Sequence, residues 1–304
     1  MKLQKRIIRG DHDGPALLVT GGVHGDEFEP METARRLIRQ LDPASFRGSV
    51  TIVPVVNESA YWAGTRQGVD GLDLARTFPG KPDGSVTEQT ADALTPLIQQ
   101  ADYYIDLHTG GTVLDVMPLV GYSLHHNGDV RAAQRRMARA FNMTVIWGTS
   151  PMLDGRSISV ARDAEVPAIY AEWRGRANSD PRGVEAYFDG VLNVMAELGM
   201  IEGRRPPTSV VKYVVEDNRE NAGYMQINYP APMGGYFEPA VSLGSHVRVG
   251  DPLGSVCDVL GDNVVTVPST QEGLVCTLRS YLRVNKGDCL GVVIELDASS
   301  KEIK

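Results

Sequence analysis

The 304-residue chain is predicted to form an α/β sheet with helices on its faces, followed by a smaller all-β sandwich or barrel. Three observations carry that expectation. Apolar runs of strand length alternate with helical patterns over residues 1 to about 200. The alternation breaks at Gly203-Arg204-Arg205-Pro206-Pro207-Thr208. Beyond the break, short β-branched runs are separated by Gly-Asp turns.

The elements follow in order. Ala16-Leu17-Leu18-Val19-Thr20 reads as the first strand, and apolar residues at helical spacing give a helix from Pro30 to Leu41. A second strand falls near residues 50–56. Ser85 with Glu88 forms a capping-box pattern that opens a helix to Gln100. Strands near 103–108 and 116–120, a helix from Asp129 to Phe141, strands near 144–147 and 166–171, and a helix from Pro181 to Leu198 complete this part. The expected division is residues 1–205 and 206–304. In the second part, Val247-Arg248-Val249-Gly250-Asp251-Pro252-Leu253-Gly254 and Val284-Asn285-Lys286-Gly287-Asp288-Cys289-Leu290-Gly291 resemble each other, which suggests a pseudo-repeated β module.

Composition excludes several classes. A net charge of -8 and a pI near 5.3, without a basic block carrying interleaved aromatics, argue against general nucleic-acid binding. No apolar run approaches membrane-spanning length, and the charged N-terminus is not followed by the apolar region of a secretory signal. The expected location is cytoplasmic. Cys257, Cys276 and Cys289, an odd set without Cys-x-x-Cys spacing, read as reduced thiols in a core.

The chemistry-bearing motifs are Gly21-Gly22-Val23-His24-Gly25-Asp26-Glu27 and Ile105-Asp106-Leu107-His108-Thr109-Gly110. Two imidazoles and a carboxylate form a ligand set that holds catalytic zinc with a fourth position open to water. His24 and Glu27, three residues apart, face one point if the glycine-rich turn opens a helix. His108 is expected at the carboxyl end of a strand, where open α/β sheets place their chemistry. Asp106 lies two residues earlier on the same face, placed either to accept a proton from the His108 ring or to orient backbone at the strand end. Val166 to Ala171 reads as a buried strand with Glu172 emerging at its end, as a candidate general base.

Between these motifs lie Asn57, Thr65-Arg66 and Asp70-Gly71-Leu72-Asp73-Leu74-Ala75-Arg76-Thr77-Phe78-Pro79-Gly80. The ordered set resembles the succinylglutamate desuccinylase and aspartoacylase family, relatives of the zinc carboxypeptidases, over nearly the whole chain. The resemblance implies a mixed sheet of the zinc-carboxypeptidase type, ending in a sandwich similar to biotinyl or lipoyl carriers. It implies one zinc per chain held by His24, Glu27 and His108, with Glu172 as the catalytic glutamate. It further implies that Arg66 stabilises the oxyanion, that Arg76 forks onto a substrate carboxylate, and that Asn57 and Arg162 belong to the substrate pocket. The implied activity is deacylation of a small N-acyl amino acid or related amide.

One departure stands out. Family members read Asp-Leu-Asn-Arg-x-Phe where this chain has Asp73-Leu74-Ala75-Arg76-Thr77-Phe78, so a methyl group replaces an amide that helps hold a substrate carboxylate.

Two rival readings frame these expectations. A zinc carboxypeptidase acting on peptides would use the same metal and base. A swinging-arm carrier would need a lysine at an exposed hairpin tip, flanked by methionine, and neither Lys212 nor Lys286 has that flank. The β module is therefore read as structural, covering the site or mediating homo-oligomer formation. His125-His126 are read as a solvated loop pair. Tyr224, Tyr229 and Tyr236 could reach the site from the second part, but the Gly and Pro around them favour loop packing.

Overall fold

The computed structural model describes residues 2–176, 178–204, 209–225 and 228–296. The expected break at 203–208 lies partly outside these residues, and so does the 205/206 boundary. In chain order, the strands are β1 (Arg6–Arg9), β2 (His12–Thr20), β3 (Arg47–Val53), β4 (Tyr103–Thr109), β5 (Leu114–Ser123), β6 (Val145–Thr149), β7 (Ala168–Gly175) and β8 (Tyr213–Glu216). The α-helices among them are α1 (Phe28–Gln40), α2 (Glu58–Ala63), α3 (Val86–Gln99), α4 (Gly128–Phe141), α5 (Ser157–Asp163) and α6 (Pro181–Glu197). The later strands are β9 (Gly235–Pro239), β10 (His246–Val247), β11 (Pro252–Cys257), β12 (Val264–Pro268), β13 (Gly273–Arg279), β14 (Arg283–Val284) and β15 (Gly291–Ile294).

A mixed sheet forms the centre. β3, β2, β4 and β7 run parallel, β1 pairs antiparallel with β3, and β5 returns antiparallel along β7. β5 then serves two neighbours on its other side. Its first residues, Leu114 to Val116, pair with β13, and Leu119 to Ser123 pair with β6, which in turn carries β8. The β5–β7 register shifts between Val116 and Leu119, where Pro118 has no N–H to give to a ladder.

Prolines also move two expected strand boundaries. β3 stops at Val53 because Pro54 follows it, and β7 starts at Ala168 after Pro167. β7 continues to Gly175, so Glu172 lies within the strand and not beyond its end. Helix starts carry capping residues, of which the Ser85–Glu88 box was expected from sequence. Ser85 and Glu88 form the capping box of α3, Asn127 caps α4, and Asp180 followed by Pro181 opens α6.

Alternation along the strands divides the core. Leu17, Val19, Ile105, Leu107, Ile169 and Ala171 face α1, α4 and α6. Leu18, Tyr104 and Ala168 face α3 and α5, where Leu94, Ile98 and Val160 cover them. Each fully buried leucine of this kind contributes roughly 1.5–3 kcal/mol. At the carboxyl ends of β2, β4 and β7, the second face turns polar: Thr20, Asp106, His108 and Glu172 are all buried there. The site is thus built on a strand face whose lower part is core.

A second sheet, β12-β11-β9-β14, lies in the C-terminal part. The two similar segments take similar shapes, each a two-residue strand, a tight turn and a longer strand. Asp251 N–H bonds Arg248 O at 3.0 Å and Asp288 N–H bonds Asn285 O at 3.1 Å, with Gly250 and Gly287 at φ 92° and 91°. Each copy crosses between sheets: β10 and β15 pair with β13, whereas β11 and β14 pair with β9. All three cysteines are free and buried. Among the described residues, no helix is long and apolar enough to cross a membrane.

Candidate active site

The His24–Glu27 turn sits between β2 and α1. It opens α1, as the sequence reading supposed: Glu27 is the N-cap of that helix, and its side chain makes no capping hydrogen bond there. The turn packs directly against α2, so a Cβ on Gly25 would stand 2.0 Å from Ala60 O. Gly25 N–H bonds Thr65 O, and Asn57 N–H bonds Gly22 O at 2.8 Å. Asp26 accepts from Thr112 N–H at 2.8 Å, which ties the turn to the segment after β4.

Three side chains converge. His24 Nδ1 lies 2.6 Å from Glu27 Oε1, His108 Nδ1 lies 3.1 Å from Glu27 Oε2, and potential ligand atoms of all three fall within 4.8 Å of one another. The opposite ring nitrogens face aspartates: His24 Nε2 is 3.1 Å from Asp73 Oδ1, and His108 Nε2 is 3.1 Å from Asp106 Oδ2. Asp106 is itself held by Thr20 Oγ1 at 2.7 Å and by the Ser157 hydroxyl. With Nε2–H directed to each aspartate, both Nδ1 lone pairs face the Glu27 carboxylate, an arrangement that calls for a cation.

The electrostatics agree. Burial alone would raise the Glu27 pKa, but His24 and His108 hold it well below the usual carboxylate range. Burial opposes charge on His108, yet Asp106 and Glu27 outweigh it and raise that pKa well above normal. The cluster therefore favours positive charge at its centre. The residues present fit a tetrahedral zinc with two nitrogens, one carboxylate and an open position.

Glu172 is different. In the β4–β7 ladder it stands directly beside His108, and its Oε2 is buried without a hydrogen-bond partner among the described residues. Burial pushes its pKa above the usual glutamate value. A carboxyl kept near the neutral range in this way suits proton transfer.

His24, Asp106, His108 and Glu172 line a solvent-open cavity of ≈ 840 Å³. Arg66, Ala75, Arg76, Arg156, Arg162 and Glu172 are part of its wall. Arg66 is anchored by Asp73, with Nε 3.1 Å from Oδ2, while Nη1 reaches to 3.3 Å from His24 Nδ1. Arg76 and Arg156 point towards the Tyr224 ring, their Cζ atoms 6.0 and 5.2 Å from its centre.

A family model for the succinylglutamate desuccinylase/aspartoacylase catalytic domain matches residues 13–198. The N-alpha-acetyl-L-2,4-diaminobutyric acid deacetylase of Halomonas elongata is 32% identical over 301 residues, covering 95% of this chain and 84% of the relative. The chain belongs to the succinylglutamate desuccinylase/aspartoacylase family. Family members are hydrolases of linear amide bonds, and this chain is one of them.

Solved structures of the family share the fold. The succinylglutamate desuccinylase/aspartoacylase of Rhodobacter sphaeroides superposes with a TM-score of 0.84 at 27% identity, covering 99% of this chain and 89% of that one. A product-bound ectoine utilization protein of Ruegeria pomeroyi gives 0.85 at 28% identity, covering 95% and 87%.

Within this desuccinylase/aspartoacylase site, not every expected residue reaches the cavity. Asn57 is fully buried and absent from its wall. Its Oδ1 accepts from Ala60 N–H and Ser59 Oγ, so the side chain caps α2 behind the ligand turn. Arg162 does line the cavity, but Asp154 and Asp163 each take a nitrogen at 2.7 Å and Pro151 O takes another. His125, expected in a solvated pair, is buried, with Nε2 2.9 Å from Arg162 O; only His126 is exposed. Tyr229 packs in the C-terminal core and Tyr236 is exposed, whereas Tyr224 reaches the cavity arginines.

Asp73, Ser157 and Arg156 were not singled out from sequence as parts of the site, and Tyr224 was assigned to loop packing in preference to it. Asp73 had a signal, since it lies in the same motif as Arg76. An isolated arginine before a short helix had none.

Proposed function

We propose that this chain is a zinc-dependent deacylase that hydrolyses the amide of a small N-acyl amino acid or related compound. The observation that carries the reading is the His24–Glu27–His108 group, whose two histidines lie on the cavity wall, with Glu172 in register beside His108. One zinc per chain is assigned to His24, Glu27 and His108. When bound, zinc supplies Lewis acidity that polarises a carbonyl and makes water nucleophilic near neutral pH.

The chain's own residues do the rest. Glu172 takes the proton from the attacking water and returns it to the leaving nitrogen. Arg66, steadied by Asp73, is placed to balance the negative charge that develops on the carbonyl oxygen. Arg76 supplies a guanidinium for the substrate carboxylate. Asp73 and Asp106 hold the rings of His24 and His108, and Arg162, locked by its acidic partners, shapes the wall. Asn57 acts from behind, holding the turn that carries His24 and Glu27. The products are a carboxylate and a free amine.

Purified protein incubated with N-acetyl, N-succinyl and N-formyl amino acids is expected to release free amino acid from at least one series. Chelation abolishes the activity and added zinc restores it. Cleavage of short peptides alone would overturn the reading in favour of a carboxypeptidase.

A further inference from the structure

β12 is a free edge of the C-terminal sheet. It pairs with β11, and among the described residues no strand takes its other side. The unpaired backbone groups of such an edge are a template for another strand. The outer strands of the catalytic sheet are guarded by charge: β1 carries Arg6 and Arg9, and β8 follows Lys212 and ends on Glu216. β12 has no such guard. From Asn263 to Gln271 the chain has no charged side chain, and within that run Val264 and Val265 are 57% and 40% exposed. Pro268 at the strand end leaves Val264 to Val267 open to pairing.

The surroundings of the two strand ends are complementary. The β11–β12 hairpin tip presents Val259 and Leu260, 96% and 81% exposed, beside the exposed Asp262. At the other end, Gly250 N–H bonds Ser269 O at 2.8 Å and Ser269 N–H bonds Asp251 O at 2.7 Å, which fastens there the turn that exposes Arg248 and Val249. Among the described residues neither Asp262 nor Arg248 forms an ion pair. One end is therefore apolar and acidic, the other apolar and basic, so the edge complements its own reversed copy.

We infer that a second copy of this chain docks on β12, antiparallel and related by a two-fold axis through the sheet at Thr266, so that the two four-stranded sheets become one. A two-fold axis keeps each side chain on its own face, so only residues an even number apart can be paired. Thr266 then faces its counterpart, Val264 faces Pro268 of the second copy, and Val265 faces Val267 of the second copy. Each hairpin tip runs to the other copy's Val249 turn, where Asp262 meets Arg248. The contact closes at two copies and leaves no β12 edge for further growth. No residue of β12 lines the active-site cavity, so the inference is independent of the deacylase reading.

Light scattering of the full chain over a concentration series tests it, with circular dichroism confirming each variant. The wild type is expected to reach twice its 33.0 kDa mass. T266K sets two ammonium groups against each other on the axis and is expected to weaken self-association by about tenfold or more. D262R, which leaves the strand untouched, is expected to weaken it by about tenfold, and adding R248E to restore it to within about threefold of the wild type. A wild type that stays monomeric at about 100 µM overturns the inference. So does a dimer that T266K leaves intact, which would place the contact on another surface, and so does a D262R defect that R248E fails to repair.

Discussion

His108 and Glu172 are register partners on the parallel strands β4 and β7. Adjacent strands lie about 4.8 Å apart, so the backbone ladder sets the spacing of ligand and base without help from a loop. The two should separate cleanly by mutation. Glu172→Gln is expected to keep zinc and lose about 10²–10⁴-fold in kcat, the usual contribution of a positioned base. His24→Ala is expected to lose the metal itself. Metal analysis beside kcat checks both, and zinc loss in Glu172→Gln would refute the division.

Asp106 acts on the metal through the His108 ring. Asp106→Asn should weaken zinc affinity about ten- to hundredfold, because the ring loses a charged partner while Thr20 and Ser157 still surround the site. Competition with a chromophoric chelator measures it. Unaltered affinity would show that Tyr187, whose hydroxyl donates to His108 O, and the strand suffice to hold the ring.

Asn57 distinguishes support from substrate contact. Its cap on α2 predicts that Asn57→Ala costs about 1–2 kcal/mol in stability, read by urea unfolding, with KM unchanged. A selective rise in KM with normal stability would restore it to the substrate pocket.

Glu29, in the first turn of α1, is buried; Oε1 accepts from Asp180 N–H, and Oε2 has no hydrogen-bond partner among the described residues. Burial pushes its carboxyl from 4.5 to about 7. A folded pKa above the unfolded one means that the contribution is full below pH 4.5 and is lost as pH rises through about 7. Glu29→Gln should therefore gain stability relative to the wild type across that window, by at most about 3 kcal/mol. Unfolding midpoints at pH 5 and pH 8 test this. A difference that shrinks with rising pH would show that the carboxyl is ionised in the fold.

Local signals accounted for much of what the chain disclosed. The alternation through Tyr103 to His108 placed Asp106 and His108 on one face, and Ser85 with Glu88 opened α3 where it begins. Pro54 and Pro167 shifted strand ends by a few residues, a consequence of their missing N–H groups. Other features depended on contacts distant in sequence. Pairing of β13 with β5 joins residues near 277 to residues near 116, and two-residue strands such as β10 and β14 carry no periodicity. Arg156 reads as any surface arginine until folding brings it to Tyr224, and Asn57 cannot be seen as a buried cap until α2, too short for a reliable pattern, is in place.

The family match ends at residue 198, but hydrogen bonding in the catalytic sheet does not. β8 completes β6, β13 completes the first residues of β5, and Gly223 and Met225 wall the cavity. A fragment cut at the inherited boundary would expose the edges of β5 and β6, raw templates for association with other fragments. The catalytic-domain model thus stops short of the sheet it describes, and the unit that must be synthesised before that sheet is complete reaches to β13.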